Sequence, residues 1–261
     1  LAFYIVFMIY PLGILFKNAV IENNGDFTFA YFAKFLSKNY YFSTIFNSFK
    51  VSLAATALTL IIGTPLAYFY NMYKIKGKTF LQITIILCSM SAPFIGAYSW
   101  ILLLGRNGLI TNTIKNLTGF NFPSIYGFGG ILLVLCMQLY PLVFLYVSGA
   151  LRNIDNSLLE ASENMGCTGA KRFFKIIIPL CIPTILAAAL MVFMRAFADF
   201  GTPLFIGEGY RTFPVEIYNQ FMNETGSDKN FASAVSIIAI IITSLIFLLQ
   251  RYINGKYKFT M

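Results

Sequence analysis

The chain has 261 residues, of which 58% are hydrophobic and only 11% charged, with a mean hydropathy of +0.72. Such a composition excludes an ordinary soluble domain and reads as an integral membrane protein. The net charge of +9 raises the question of a nucleic-acid partner, which the location of the basic residues answers.

A crossing helix needs about 20 apolar residues, and six such windows fit, near 1–16, 49–70, 80–104, 127–148, 176–198 and 231–250. The first is short and opens on Leu1 without a basic flank, so the span is expected to start upstream. A cleaved signal peptide is the alternative, but no basic n-region and no small-residue site after Phe16 supports it. The next segment, ENNGDFTFAYFAKFLSKNYYFSTIFNSF (22–49), is aromatic and of mixed polarity. It predicts an interfacial helix between Thr28 and Lys38 with rings at headgroup depth, and a docking surface is the sharper alternative. The second span, SLAATALTLIIGTPLA (52–67), and the fifth, with ILAAALM (185–191), are rich in small residues that permit close backbone approach, so both belong inside a bundle. Pro65, Pro93, Pro141, Pro179 and Pro183, with Gly63 and Gly96, punctuate the spans. In a bilayer such breaks need neighbouring helices or a wet cavity to satisfy the freed carbonyls, which predicts bent helices around a pathway.

Basic residues recur on alternate connections. The loop at 71–79 holds Lys74, Lys76 and Lys78; the loop at 149–175 holds Arg152, Lys171, Arg172 and Lys175; the tail holds Arg251, Lys256 and Lys258. These three segments share one side of a six-span chain, which the positive-inside rule makes the cytoplasm. Topology therefore accounts for the charge, and no nucleic acid is implied. The opposite segments carry Glu22, Asp26, Glu208, Glu216, Glu224 and Asp228 and are expected outside, facing the membrane lipid boundary and the extracytoplasmic space. Cys88, Cys136, Cys167 and Cys181 lack metal or redox spacing and read as small core residues. There is no histidine, which excludes His-dependent triads and metal sites, and there is no phosphate-binding G-x-x-x-x-G-K-[ST] loop. No repeat or linker divides the chain, so residues 1–261 form one domain.

The loop before the fifth span reads RNIDNSLLEASENMG (152–166) and continues to Pro179. Ser157 followed by Glu160 is a capping-box pattern, so a short helix is expected to start at Ser157, with Leu158, Ala161, Ser162 and Met165 on its less polar face. Gly166 suits a left-handed helix end, and Thr168 suits the cap of a second helix. This stretch resembles the EAA loop of the permease subunits of ATP-binding-cassette importers, with the pattern Glu-Ala-Ala, three residues, Gly, nine residues, Ile, one residue, Leu-Pro. Glu160, Ala161, Gly166, Ile176 and Pro179 match in register, while Ser162 replaces the second alanine and Ile178 the leucine.

The resemblance covers about residues 45–250 and implies an all-α integral membrane fold of six transmembrane helices, a type I importer transmembrane domain (MetI-like), with the coupling loop at 152–175. It further implies half of a pore in a bacterial inner membrane, paired with a second permease half or subunit. Cytoplasmic ATP-binding subunits that use ATP and magnesium would dock on the loop, and an extracytoplasmic substrate-binding protein would deliver cargo. The chain itself would need no cofactor and catalyse nothing.

The segment RAFADFGTPLFIGEGYRTFPVEIYNQF (195–221) is similar to the corresponding part of ferric-iron permeases, at the position of their first six-span half; permeases for spermidine/putrescine and aminoethylphosphonate share parts of it. Asp199, Glu208, Tyr210, Glu216 and Tyr218 supply oxygen that suits a hard cation, though not at the spacing of a tight site. Arg195 and Asp199, at i and i+4, are expected either to neutralise each other as an ion pair or to gate the pathway. A channel or secondary transporter independent of ATP, and an intramembrane enzyme, are the readings of other classes; both call for buried ionisable residues that the spans largely lack.

Overall fold

The computed structural model describes residues 3, 5–22, 25–90, 92–120, 123–222 and 228–256; Glu224 and Lys258 lie outside them. A π-helical turn, Ile5–Ile9, leads into α1, Tyr10–Val20. Next come α2, Ala30–Ser37, and α3, Asn39–Met72. The chain continues through α4, Lys78–Ser89, α5, Pro93–Leu104, α6, Leu109–Thr118, and α7, Phe128–Arg152. After α8, Asn156–Asn164, and α9, Gly169–Arg172, a second π turn, Phe173–Ile177, enters α10, Ile178–Ala198. Short α11, Gly201–Ile206, and α12, Phe213–Met222, precede α13, Lys229–Lys256.

Four of these segments are long and apolar enough to cross a membrane: α3, α7, Phe173–Ala198 and α13 over Lys229–Leu249. The expected third span is not one rod. Lys78–Ser89 and Pro93–Thr118 pass the same test only as a bent pair, with their axes turned by 105°. The turn falls where Ala92 is extended (φ −66°, ψ 139°) before Pro93, as steric conflict with a proline ring requires. The expected first span comprises the five-residue π turn and the eleven residues of α1, shorter than a full crossing within the described residues. Between Thr28 and Lys38 the chain is helical, as expected, over α2. It is tied down by Phe35, which is fully buried and stacks on Tyr41 with ring centroids 5.6 Å apart.

The core lies where α3, α7 and α10 meet. At 34 residues, α3 is about 51 Å long, well beyond the roughly 30 Å of hydrocarbon, so its first turns project outside. There Ser48 Oγ accepts the Phe213 N–H (2.8 Å) and Asn47 donates to the Arg211 carbonyl (3.0 Å), fastening α12 to the mouth of the bundle. Within the membrane, Ser52, Thr56 and Thr59 are buried, and each hydroxyl donates to a carbonyl three or four residues earlier at 2.7–2.9 Å. That back-bonding satisfies polar groups where no water is present. Asn71 donates to Ser148 Oγ (2.8 Å) and joins α3 and α7 at their ends on the basic side.

The small-residue seam of α3 makes the closest contact. A Cβ placed on Gly63 would lie 2.7 Å from Val143 Cβ and 3.0 Å from the Tyr140 carbonyl, both fixed parts of α7. Cys136 and Cys181 are buried as expected, but Cys88 is exposed and Cys167 only half-buried. Overpacking a filled core costs about 1–3 kcal/mol. We therefore expect Gly63→Ala to lower the thermal unfolding midpoint in detergent, and Gly63→Leu to reduce membrane accumulation sharply; an unchanged midpoint for Gly63→Leu would show that α3 and α7 do not approach this closely.

Candidate functional site

Two regions bring polar groups to places where packing does not require them: the α8–α9 loop on the basic side, and a cavity at the far end of α10. The loop helix begins two residues before the expected start. Asp155, extended at φ −64° and ψ 128°, is its N-cap, and its Oδ1 accepts the Ser157 N–H at 2.9 Å. Ser157 thus receives the cap rather than supplying it. A carboxylate caps about as well as a hydroxyl and also carries a charge that the positive end of the helix dipole favours. At the other end Gly166 takes φ +74°. The Gly166 N–H donates to Glu163 O (2.9 Å) and the Cys167 N–H to Ser162 O (2.9 Å), the two bonds of a Schellman stop. The second helix starts at Gly169, directly after Thr168, and Arg172 Nη1 pairs with Glu163 Oε2 at 3.5 Å to bind the two short helices together.

The expected less polar face divides. Ser162 is buried, whereas Leu158 (46% exposed), Ala161 and Met165 (77% exposed) form an open stripe, with Glu160 and Gly166 also exposed. Of the later motif residues, Ile176 is half-buried and Pro179, in the first turn of α10, is exposed. The anchors are residues that sequence reasoning passed over. Ile177 is buried in the main core, and the Phe173 ring sits 4.7 Å from that of buried Tyr68 on α3. Their signal was the aromatic pair before the isoleucine run.

At the other end of α10, a cavity of about 390 Å³ opens among Pro93 and Phe94 of α5, Gln138 of α7, and Arg195, Asp199 and Gly201. Arg195 and Asp199 both line it but do not form the expected ion pair; the ion pairs among the described residues lie elsewhere. The cause is local. Asp199 is where α10 ends and the backbone turns extended (φ −68°, ψ 125°), so the carboxylate swings to accept the Thr202 N–H at 3.0 Å. Arg195 is left exposed on the cavity wall. Gln138 lines this cavity and a neighbouring one of about 280 Å³ beside Ser99, Trp100 and Tyr140. A lone amide inside an apolar span was a readable signal for it.

Of the remaining oxygen donors, Glu216 and Tyr218 line one open cavity with Tyr40 and Arg211, and Glu208 and Tyr210 lie outside it. Glu208 pairs with Arg106. Glu216 is buried and accepts from Tyr40 (3.2 Å) and Gln220 (2.6 Å). Tyr210 donates to Asn47 O at 3.4 Å, and Tyr218 packs on Phe200. Among the described residues no group of three or more acidic or cysteine side chains is placed to hold a metal ion.

Residues 59–259 match the family model described as binding-protein-dependent transport system inner membrane component. A putative ferric transport system permease protein of Haemophilus influenzae is 28% identical over 97% of this chain and 40% of its own length. A putative 2-aminoethylphosphonate transport system permease protein of Salmonella typhimurium is 24% identical over 93% of this chain and 85% of its own. The spermidine/putrescine permease protein of Haemophilus influenzae is 28% identical over 81% and 74%. The chain thus spans about two fifths of the length of the ferric relatives. Among solved structures, a bacterial ABC transporter that imports the acidic polysaccharide alginate superposes with a TM-score of 0.78 at 17% identity, covering 99% of this chain and 93% of that one. The MetNI methionine transporter gives 0.61 at 18% identity, covering 82% and 94%.

The cap on α8 carries a pH dependence. The Ser157 N–H and hydroxyl hold the Asp155 carboxyl below its ordinary range. A group whose folded pKa is depressed stabilises the fold above its unfolded value, about 3.9, and loses that contribution as pH falls through the folded value. We expect the first turn of α8 to be protected at neutral pH and to fray under strong acid, read as amide exchange at Ser157 corrected for its intrinsic rate. Asp155→Ala is expected to fray already at neutral pH with no further response to acid.

Proposed function

The chain belongs to the family of binding-protein-dependent transport system inner membrane components, and from that premise we propose that it forms half of the translocation pathway of an ATP-driven importer for ferric iron. It is a multi-pass inner-membrane component. A separate cytoplasmic ATPase works it through α8, using ATP and magnesium that this chain does not bind. A second permease half, either fused in one longer chain or a separate subunit, completes the pore, and an extracytoplasmic binding protein selects the cargo.

The observation that carries this reading is the open stripe of Leu158, Ala161 and Met165 on a helix fixed at both ends. A short apolar and small-residue face, presented on the basic side of a membrane bundle, suits a groove in another protein. The ferric assignment draws support from the segment at 195–221 and from two ferric relatives. The exposed Arg195 in the cavity adds a physical argument about charge. A cation on the pathway repels a polyamine and attracts oxygen-rich anionic groups, and Fe(III), as a hard cation, travels with oxygen ligands. Cargo carried as an anionic oxygen complex fits this wall, as a phosphonate does; a bare polycation does not.

The reading is tested by uptake of radiolabelled ferric iron in cells that express the whole system, comparing the unaltered permease with Gly166→Pro at equal membrane abundance. Proline cannot take φ +74° and removes the N–H that closes the Schellman stop, so ATP-dependent uptake is expected to disappear. Uptake that persists without ATP would remove the importer reading, and uptake of aminoethylphosphonate in place of iron would reassign the cargo while leaving α8 its role.

A second outcome concerns the cavity. A hydrogen bond to a charged group contributes about 1.5–3 kcal/mol, so Arg195→Gln is expected to raise the half-saturating cargo concentration roughly ten- to hundredfold without changing membrane abundance. Unaltered uptake by this variant would take Arg195 off the path.

A further inference from the structure

On the extracytoplasmic side, α6 is amphipathic in an unusual sense. At about 100° per residue, Leu109, Ile110, Thr113, Ile114 and Leu117 share one arc, while Thr111, Asn112, Lys115 and Asn116 share the other. No residue of α6 is buried, and its apolar arc is open: Leu109 is 69% and Leu117 79% exposed. On the polar arc Thr111 is half-buried and Asn112, Lys115 and Asn116 are exposed. Thr111 and Lys115 face Arg106 and Ser124 across a cavity of about 200 Å³.

A helix whose apolar side is outward needs an apolar neighbour there, and α6 is the last part of the bent apolar pair that passes the test for a membrane span. Its outward face is thus supplied by lipid at headgroup depth. The cavity behind it has the composition of a phosphate site. Arg106 Nη2 is held by the Glu208 carboxylate, and its guanidinium lies 5.1 Å from the centre of the Tyr126 ring. Lys115 forms no ion pair among the described residues, so its ammonium is left as positive charge at the cavity. Thr111 Oγ1 is buried at the same cavity and has no hydrogen-bond partner among the described residues. A buried hydroxyl without a partner is costly, and a phosphoryl oxygen would accept its hydrogen.

We propose that this cavity is a binding site for the headgroup of an anionic phospholipid, with phosphate oxygens taken by Lys115, Arg106 and Thr111 and an acyl chain lying along Leu109, Ile110 and Leu117. Charge and apolarity then meet in one ligand, which neither free phosphate nor a neutral lipid provides. Such a lipid would hold α6, and through α5 the wall of the pathway cavity at Pro93 and Phe94, at a fixed depth in the membrane.

The test is native mass spectrometry of the purified full chain in detergent, titrated with phosphatidylglycerol, with diacylglycerol of the same chains, and with inorganic phosphate. Phosphatidylglycerol is expected to bind at least roughly tenfold more tightly than diacylglycerol, with Lys115→Gln removing most of that difference. Glu208→Gln, which strips the neutralising carboxylate from Arg106, is expected to retain or strengthen binding, and an unchanged thermal unfolding midpoint of Lys115→Gln in detergent is expected to show that its loss is not misfolding. Leu117→Asn is expected to weaken lipid binding without affecting phosphate. Equal binding of phosphatidylglycerol and diacylglycerol, or indifference to Lys115→Gln, would overturn the site; inorganic phosphate binding as tightly as the lipid would overturn the lipid as its occupant.

Discussion

The close approach of α3 to α7 is the constraint on which the rest of the bundle depends. With Val143 Cβ only 2.7 Å from where a side chain on Gly63 would begin, the two helices touch through backbone and methyl groups. In a bilayer no hydrophobic driving force pulls helices together, because lipid is as apolar as leucine, and contact gains come from dispersion at short range. The seam of Ser52, Ala55, Thr56, Thr59, Gly63 and Ala67 keeps that range short along several turns. The third partner, α10, then packs into the groove between them, so the path of α10 from loop to cavity is inherited from the seam.

Breaks in the helices stand where the bundle needs openings. Both cavities of interest lie beside interruptions: the turn between α4 and α5 at Pro93, and the end of α10 at Asp199. Each interruption frees backbone groups that must find partners away from water. At Asp199 the partner is its own carboxylate, which accepts the Thr202 N–H. That local demand outweighs the attraction of Arg195 one turn earlier, since the bond is made over three residues with no loss of reach. A charge left on the wall is the result, and it is the feature that gives the cavity chemical character.

How much of this was legible depended on whether the signal was local. The loop helix could be read because its stops are encoded within the segment: Gly166 has no Cβ to oppose a positive φ, and Leu158, Ala161 and Met165 recur at helical spacing. Its start was misplaced by two residues because Asp155 and Ser157 are both good caps, and only geometry shows which one accepts. Hydropathy found the long spans but merged α4 with α5, since averaging over a window removes the Ala92–Pro93 punctuation that divides them. The i, i+4 reading of Arg195 and Asp199 assumed that the helix continued to Asp199. Contacts between distant segments, such as Phe173 on Tyr68 or Gln138 between two cavities, have no local pattern at all.

The same distant contacts decide how the two polar regions relate. Glu163 and Arg172 lock α8 to α9, and the π turn then places Phe173 on Tyr68 and Ile177 in the core, so the loop has no slack between its open stripe and the foot of α10. From there α10 runs 21 residues, about 31 Å, to the cavity. Along that length α10 rests on the α3–α7 seam, so the loop's attachment and the cavity are joined by one packed helix. At the far end the helix is interrupted, and α11 is held by the Asp199 carboxylate on the Thr202 N–H, by the Gly127 N–H on the Ile206 carbonyl (2.8 Å) and by burial of Thr202 and Ile206. Both ends of α10 are thus anchored, one through Phe173 on Tyr68 and Ile177 in the core, the other through buried α11, so the cavity wall beside Arg195 keeps its place relative to the α3–α7 seam.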